Sequence, residues 1–296
     1  MSGLRLRWST AFAADDTSAF GRWQAGWKLF ARNRLAVAGA ALLCVEIVVA
    51  FVGPAVAPYD PSDQAFRPLQ GPSLLNLMGT DDIGRDVFSR LLHGTPISLL
   101  EGLGVLAIAS LAGVPLGLLA AYFRRADPVI MRASEIMLAF PSMFLAIGLV
   151  AVFGTDLFGV IVAVGISGIW PTAVLTRSVA LDVLHKDYVL AARAVGCRHS
   201  RIIFSHIVPN AVGPLLVAAS FRVADGILTV AAISFIGLGA QPPTPEWGAM
   251  LSNGREYLFS ALHVSAFPGL ALAITVLAFN LLGDGLRDVL DPRYNR

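Results

Sequence analysis

Residues 183–210 read Val183-Leu184-His185-Lys186-Asp187-Tyr188-Val189-Leu190-Ala191-Ala192-Arg193-Ala194-Val195-Gly196-Cys197-Arg198-His199-Ser200-Arg201-Ile202-Ile203-Phe204-Ser205-His206-Ile207-Val208-Pro209-Asn210. The stretch is mixed in charge and stands between two apolar runs, roughly 157–176 and 209–239. Val183 to Val195 reads as helix, Gly196 breaks it, and a basic stretch from Arg198 to His206 follows before Pro209. Two antiparallel spans need only about 2–8 residues between them. An ordered connection over 177–208 needs a further purpose, and a docking surface supplies one.

Working outward, six apolar segments emerge: 35–57, 98–122, 129–153, 157–176, 209–239 and 263–285. Each approaches or exceeds the ~20 residues that a spanning helix needs. The composition agrees, with 56% hydrophobic residues and only 14% charged, where a soluble domain carries about 25%. The expected fold is an all-α membrane protein of six transmembrane helices. The fifth segment is long for one straight crossing, so a bend near Pro214 or Gly226 is expected. Of the 22 Lys and Arg, 17 fall in segments that face the cytoplasm if the N-terminus is inside, and four fall outside (Arg67, Arg85, Arg90 and Arg255). Positive residues mark the inner side of a membrane, so both termini are placed in the cytoplasm.

The domain reading follows. Residues 1–34 form a cytoplasmic segment in which Phe20, Trp23, Trp27 and Phe30 recur at helical spacing, the pattern of an amphipathic helix in the inner interface. The first span is 35–57; its end, Ala55-Val56-Ala57, resembles a signal cleavage site, but the run is longer than the ~7–15 residues of a signal core and is read as retained. An external loop covers 58–97. A five-helix core covers 98–285, with the cytoplasmic loop inside it, and 286–296 is a cytoplasmic tail. Asp81, Asp82 and Asp86 lack the alternation of a calcium loop and read as a hydrogen-bonded turn. The two cysteines, Cys44 and Cys197, belong to different levels of the membrane, and the five histidines are scattered. No bound metal and no nucleic-acid partner are expected.

Charges at membrane depth are rare and face the bundle interior or a water-filled cavity. Glu46 lies mid-span and is expected to bond to a neighbouring helix or a partner subunit. Glu101 and the i,i+3 pair Arg132–Glu135 are expected at the interfaces. Arg222 and Asp225 lie three apart on one face of span five, either as a mutually neutralising pair or as lining of a path.

The stretch Tyr188 to Gly196, followed by His206-Ile207-Val208-Pro209-Asn210, resembles the cytoplasmic signature of ABC importer permeases. Ala191, Ala192, Gly196 and Pro209 match it; Leu190 stands where the family usually carries Glu. Three further stretches are similar to dipeptide, oligopeptide and nickel permeases: Gly79-Thr80-Asp81 with Gly84-Arg85-Asp86-Val87, Ser234-Phe235-Ile236-Gly237-Leu238-Gly239 with Pro242 to Gly248, and Phe279 to Asp288 with Asp291-Pro292-Arg293. The likeness runs from about residue 30 to the end. It implies the type I importer permease fold with a coupling-helix loop, in the bacterial cytoplasmic membrane. It implies ATPase docking through Tyr188, Ala191, Ala192, Gly196, Arg198, Arg201 and Pro209, and a translocation path that involves Arg222, Asp225 and Glu46. The implied partners are a homologous second permease, two ABC ATPase subunits, an extracytoplasmic solute-binding protein and membrane lipid. The implied cargo is a di- or oligopeptide, with nickel complexes or glutathione as alternatives.

The only lysines, Lys28 and Lys186, are followed by Leu29 and Asp187. Neither completes the Gly-Lys-Ser/Thr ending of a P-loop, so the chain is expected to be non-catalytic and to bind no cofactor, with ATP and Mg held by the ATPase subunits. An intramembrane serine protease built on Ser167 and His263 is a remote rival. A secondary transporter is another, but it leaves the long cytoplasmic loop without a purpose.

Overall fold

The computed structural model describes residues 30–31 and 33–290. The expected interfacial helix around Phe20, Trp23 and Trp27, and the tail motif at 291–293, lie outside the described residues. The elements are α1 (Arg34–Val56), α2 (Val87–Tyr122), α3 (Asp127–Leu138), α4 (Ser142–Phe153), α5 (Leu157–Leu184), α6 (Asp187–Ala194), α7 (His199–Phe235), α8 (Trp247–Gly254) and α9 (His263–Leu290). Among the described residues the β pairing is one isolated bridge, Thr80 to Asp86. The helices α1, α2, α5, α7 and α9 are each long and apolar enough to cross a bilayer. α3 and α4 meet the same criterion only taken together, across a 92° bend, which brings the number of candidate spans from five to six.

That bend has a local cause. Pro141 lacks an N–H and disfavours the helical conformation at Phe140, so the helix stops at Leu138 and restarts at Ser142. In lipid a break is tolerated only where protein or water meets the freed backbone groups, and a cavity lies at this one.

α2 corrects the expected boundaries. Its 36 residues make a rod of about 54 Å at 1.5 Å per residue, far beyond the ~30 Å hydrocarbon core. Residues 87–97, expected in the external loop, are therefore its first turns, packed under an external cap. The span-five irregularity also differs from expectation: it is a π-helical segment at Ile203–Ile207, ahead of Pro214. Pro209 cannot donate to the preceding turn, which fits a widened turn just before it.

Small residues let the helices approach. A methyl group on Gly113 would lie 2.7 Å from the Ile169 carbonyl oxygen and the Thr172 Cβ, and one on Gly117 would collide with the Ala173 carbonyl and Thr176. This is the small-residue packing by which membrane helices associate, and it seats α2 on α5.

The external cap is built around buried charge. Asp81 Oδ1 accepts from the backbone of Ile83 (3.1 Å) and Arg85 (2.8 Å), and its Oδ2 from Arg85 Nε (2.6 Å). Asp86 caps α2 by accepting from Ser89 N at 2.7 Å. Arg90, 2% exposed, lies 3.7 Å from Asp81 and donates to the carbonyls of Pro61 (2.8 Å) and Pro243 (3.4 Å). One side chain thus joins α2 to both external segments. The acidic run is the hydrogen-bonded turn that its spacing indicates.

Breaking a buried ionic contact by deleting one partner costs about 3–5 kcal/mol. Arg90→Leu should lower the unfolding midpoint of the purified protein in detergent, whereas Arg132→Leu, which removes an exposed pair (3.0 Å, side chains 77% and 64% exposed), should leave it near wild type. Equal midpoints for the two variants would contradict the cap's dependence on Arg90.

Candidate functional site

The cytoplasmic loop is compact. α5 continues to Leu184, His185 and Lys186 break it, and α6 follows, so the expected single helix from Val183 to Val195 is two elements. The second, basic stretch is the beginning of α7 rather than a helix of its own. α6 ends in a Schellman motif: Cys197 N donates to the Ala192 carbonyl (3.1 Å) and Gly196 N to that of Arg193 (3.0 Å). That motif needs a left-handed residue after the cap, and Gly196 has φ of 78°. Val189 is buried against Ala180, Val183, Leu184, Ile202 and Ile207, and Ala192 is buried too. Ala192, expected on the docking surface, instead packs inside the chain. Tyr188, Leu190, Ala191 and Arg193 point outward, as do Arg198, Arg201 and Pro209. The turn Val195–Arg198 with Ser200 and Arg201 lines an open concavity of about 440 Å³.

Aromatic contacts fasten this loop to α2. Arg193 lies over the Tyr122 ring at 5.4 Å, and the Tyr122 hydroxyl shares a 2.7 Å hydrogen bond with His199 Nδ1.

The second feature lies at membrane depth. A cavity of about 330 Å³ opens at the α3–α4 bend, where Phe140, Pro141 and Ser142 face Ser167 on α5 and Arg222, Asp225 and Thr229 on α7. Arg222 is half-buried and Asp225 exposed. Among the described residues neither side chain takes part in an ion pair or a hydrogen bond. Both charges are left available to a third group in the cavity. Glu46, expected with them, is elsewhere: it accepts from Thr275 Oγ1 at 2.9 Å and so joins α1 to α9. Glu101, expected at an interface, is fully buried.

The structure also shows functional candidates that the sequence did not single out. Asp127 at the start of α3 takes both Arg177 Nε (2.5 Å) and Nη2 (2.6 Å) from α5. This bidentate pair closes the inner end of the bundle, and its partners are separated by fifty residues; opposite charges at the inner ends of adjacent spans were the available signal. The protease rival is not assembled. Ser167 donates to the Val164 carbonyl (2.7 Å), while His263 pairs with the Thr80 carbonyl in the cap (3.1 Å).

The family model described as the binding-protein-dependent transport system inner membrane component matches residues 113–296. The chain belongs to that family. It is accordingly a multi-pass protein of the inner membrane. A second model, the N-terminal TM domain of oligopeptide transport permease C, matches residues 21–72 of this family member. The permease is 44% identical to the di/tripeptide transport system permease protein DppC of Pseudomonas aeruginosa, over 90% of this chain and 91% of that one. It is 44% identical to the glutathione transport system permease protein GsiD of Pectobacterium atrosepticum, over 94% and 93%. A solved structure of the MetNI methionine ABC transporter shares the fold, with a TM-score of 0.54 at 18% identity over 68% of this chain and 96% of that one.

Because Arg222 and Asp225 hold no helices together, Arg222→Gln and Asp225→Asn should insert and fold in wild-type yield. Asp127→Asn, which breaks a bidentate pair between α3 and α5, should lower the yield of folded permease. Size-exclusion chromatography in mild detergent reads all three, and a collapse of Arg222→Gln with Asp127→Asn intact would reverse the assignment.

Proposed function

We propose that this permease is one half of the translocation path of an ATP-driven importer that carries di- and oligopeptides. A homologous second permease completes the path, two ATPase subunits hold ATP and Mg and do the hydrolysis, and a solute-binding protein delivers cargo to the outer cap. This chain itself makes and breaks no covalent bond.

The observation that carries this reading is the continuity between the two features of the site. α7 begins in the cytoplasmic loop at His199 and reaches Arg222, 23 residues on, after roughly 34 Å of helix. α5 enters the same loop at Leu184 and passes the cavity at Ser167 and Gly168. A displacement of the loop therefore moves two walls of the cavity. The inward face of α6, through Val189 and Ala192, makes the loop move with those helices. Its outward face, with Tyr188, Leu190 and Ala191, is left for an ATPase subunit, and the basic turn at Arg198 and Arg201 adds positive charge beside it.

The cavity's chemistry supports the cargo class. One unpaired cation and one unpaired anion stand a helical turn apart, with Ser142, Ser167 and Thr229 beside them and Val105, Phe140 and Val164 around them. A peptide carries an ammonium, a carboxylate and apolar side chains, which these groups complement. Glutathione offers the same ammonium and a second carboxylate, so Arg222 and Asp225 can each meet an opposite charge on it as well.

Gly196 tests the coupling. A Cβ there would meet nothing within 4 Å, so a substitution acts through the left-handed backbone alone, at about 1–2 kcal/mol for an ordinary residue. Gly196→Val should leave the permease inserted and paired yet abolish cargo-stimulated ATP hydrolysis in the reconstituted complex. Gly196→Asn, whose side chain tolerates this conformation, should retain much of it. Wild-type stimulation in Gly196→Val would refute the coupling role.

A further inference from the structure

The external turn at 73–78 presents apolar side chains on a hydrogen-bonded frame. Ser73 N donates to the Asn76 carbonyl (2.8 Å), Asn76 N to Ser73 Oγ (3.1 Å) and Gly79 N to the Asn76 carbonyl (3.0 Å). The Asn76 side chain is buried and donates to Asp86 Oδ1 at 2.9 Å, which pins the turn to the carboxylate that caps α2. With Asn76 turned in, its neighbours are turned out: Leu74 is wholly exposed, and Leu75 and Leu77 are more than half exposed. An ordered turn that holds three leucines outward marks a surface that meets something apolar.

The place of the turn in the fold says what that is. α1 has 23 residues, about 35 Å of helix at 1.5 Å per residue, against a hydrocarbon core of about 30 Å. With Arg34 at the inner boundary, Val56 reaches the outer one. Phe51, Val52 and Val56 on this last stretch are exposed and face lipid. Tyr59, three residues further on, stands at the interface level where tyrosine is enriched, and its hydroxyl donates to the Leu75 carbonyl at 3.1 Å. Tyr59 N donates to Ser89 Oγ at 3.1 Å, which fixes it to α2. On the other side, a methyl group on Gly79 would lie 2.6 Å from the ring of His263, the residue that opens α9. The turn therefore stands at the outer ends of α1 and α9, the two helices that Glu46 and Thr275 join. Its leucines continue the apolar surface of α1.

We propose that the turn at 73–78 is a membrane-docking element whose Leu74, Leu75 and Leu77 enter the outer-leaflet interface of the bilayer. The N–H groups of Ser73, Asn76 and Gly79 are already bonded inside the turn, so they need no water when it enters. The Leu75 carbonyl is likewise met by Tyr59. The docking has a mechanical consequence. Asn76 links the turn to Asp86, and Asp86 begins the helix from which Arg90 holds the cap. The lipid surface thereby sets the height of the cap over α2. This inference rests on the membrane position of α1 and is independent of the cargo.

The test uses the assembled transporter, with Cys44→Ser and Cys197→Ser, in vesicles of phosphatidylethanolamine and phosphatidylglycerol. Nitroxide labels are attached singly at Leu74→Cys and Leu77→Cys, where the native side chains are exposed and the label displaces no packing. Phe51→Cys on α1 serves as the lipid reference and Asp63→Cys, exposed in the external segment, as the water reference. Spin relaxation by oxygen, which concentrates in lipid, is compared with relaxation by a water-soluble nickel chelate. Labels at 74 and 77 should collide more with oxygen than with the chelate, as at 51, and the order should reverse at 63. The order of the water reference at 74 or at 77 overturns the inference. Weak collision with both reagents at either position overturns it too, because it marks a surface covered by protein, such as the second permease.

Discussion

The backbone of α2 lies against that of α5 because Gly113 and Gly117 present hydrogens to Ile169, Thr172, Ala173 and Thr176 where any other residue would present a methyl. Everything else in the permease is referred to this contact. In lipid no hydrophobic force drives helices together, so association rests on close packing and on polar bonds between helices. α2 therefore serves as the fixed post. Its outer third holds the cap through Arg90, its middle forms one wall of the cavity through Val105, and its inner end holds the cytoplasmic loop through Tyr122.

Against that post, the helical ladder is interrupted at three places. The α3–α4 bend at Pro141, the break in α5 at Gly168 and the π segment at Ile203–Ile207 are places where the backbone is not committed to one regular ladder. The first two border the cavity and the third borders the loop. Their positions match an assembly in which rigid rods pivot about the site, and Asp127–Arg177 holds the inner ends of two of those rods together.

Much of the fold was legible in the sequence, for a physical reason. Lipid-facing residues such as Phe51, 82% exposed, and Leu111, 78% exposed, must be apolar, so hydropathy finds the spans. The same logic fails at the start of α2, where His93, Ser98 and Glu101 face protein instead of lipid and lower the apolar signal of a true helix. Gly196 was legible because a left-handed cap has few alternatives to glycine. Ala192 was misplaced, because its small side chain suits an outward groove and an inward contact equally. Arg222 and Asp225 were found by their spacing, but their lack of a mutual ion pair depends on the cavity beside them, which a linear pattern cannot express. Asp127–Arg177 joins distant segments and is a property of the packed chain.

The central claim is that the outward face of α6 meets an ATPase whose movement reaches the cavity through α5 and α7. A photoreactive amino acid at Leu190, which is 49% exposed, can be compared with one at Val189, which is fully buried against the chain's own helices. In the assembled complex, illumination should join the Leu190 probe covalently to the ATPase subunit, with a yield that changes when ATP is added, and the Val189 probe should stay within the permease. A Leu190 probe that never captures the ATPase, with or without nucleotide, would contradict the account.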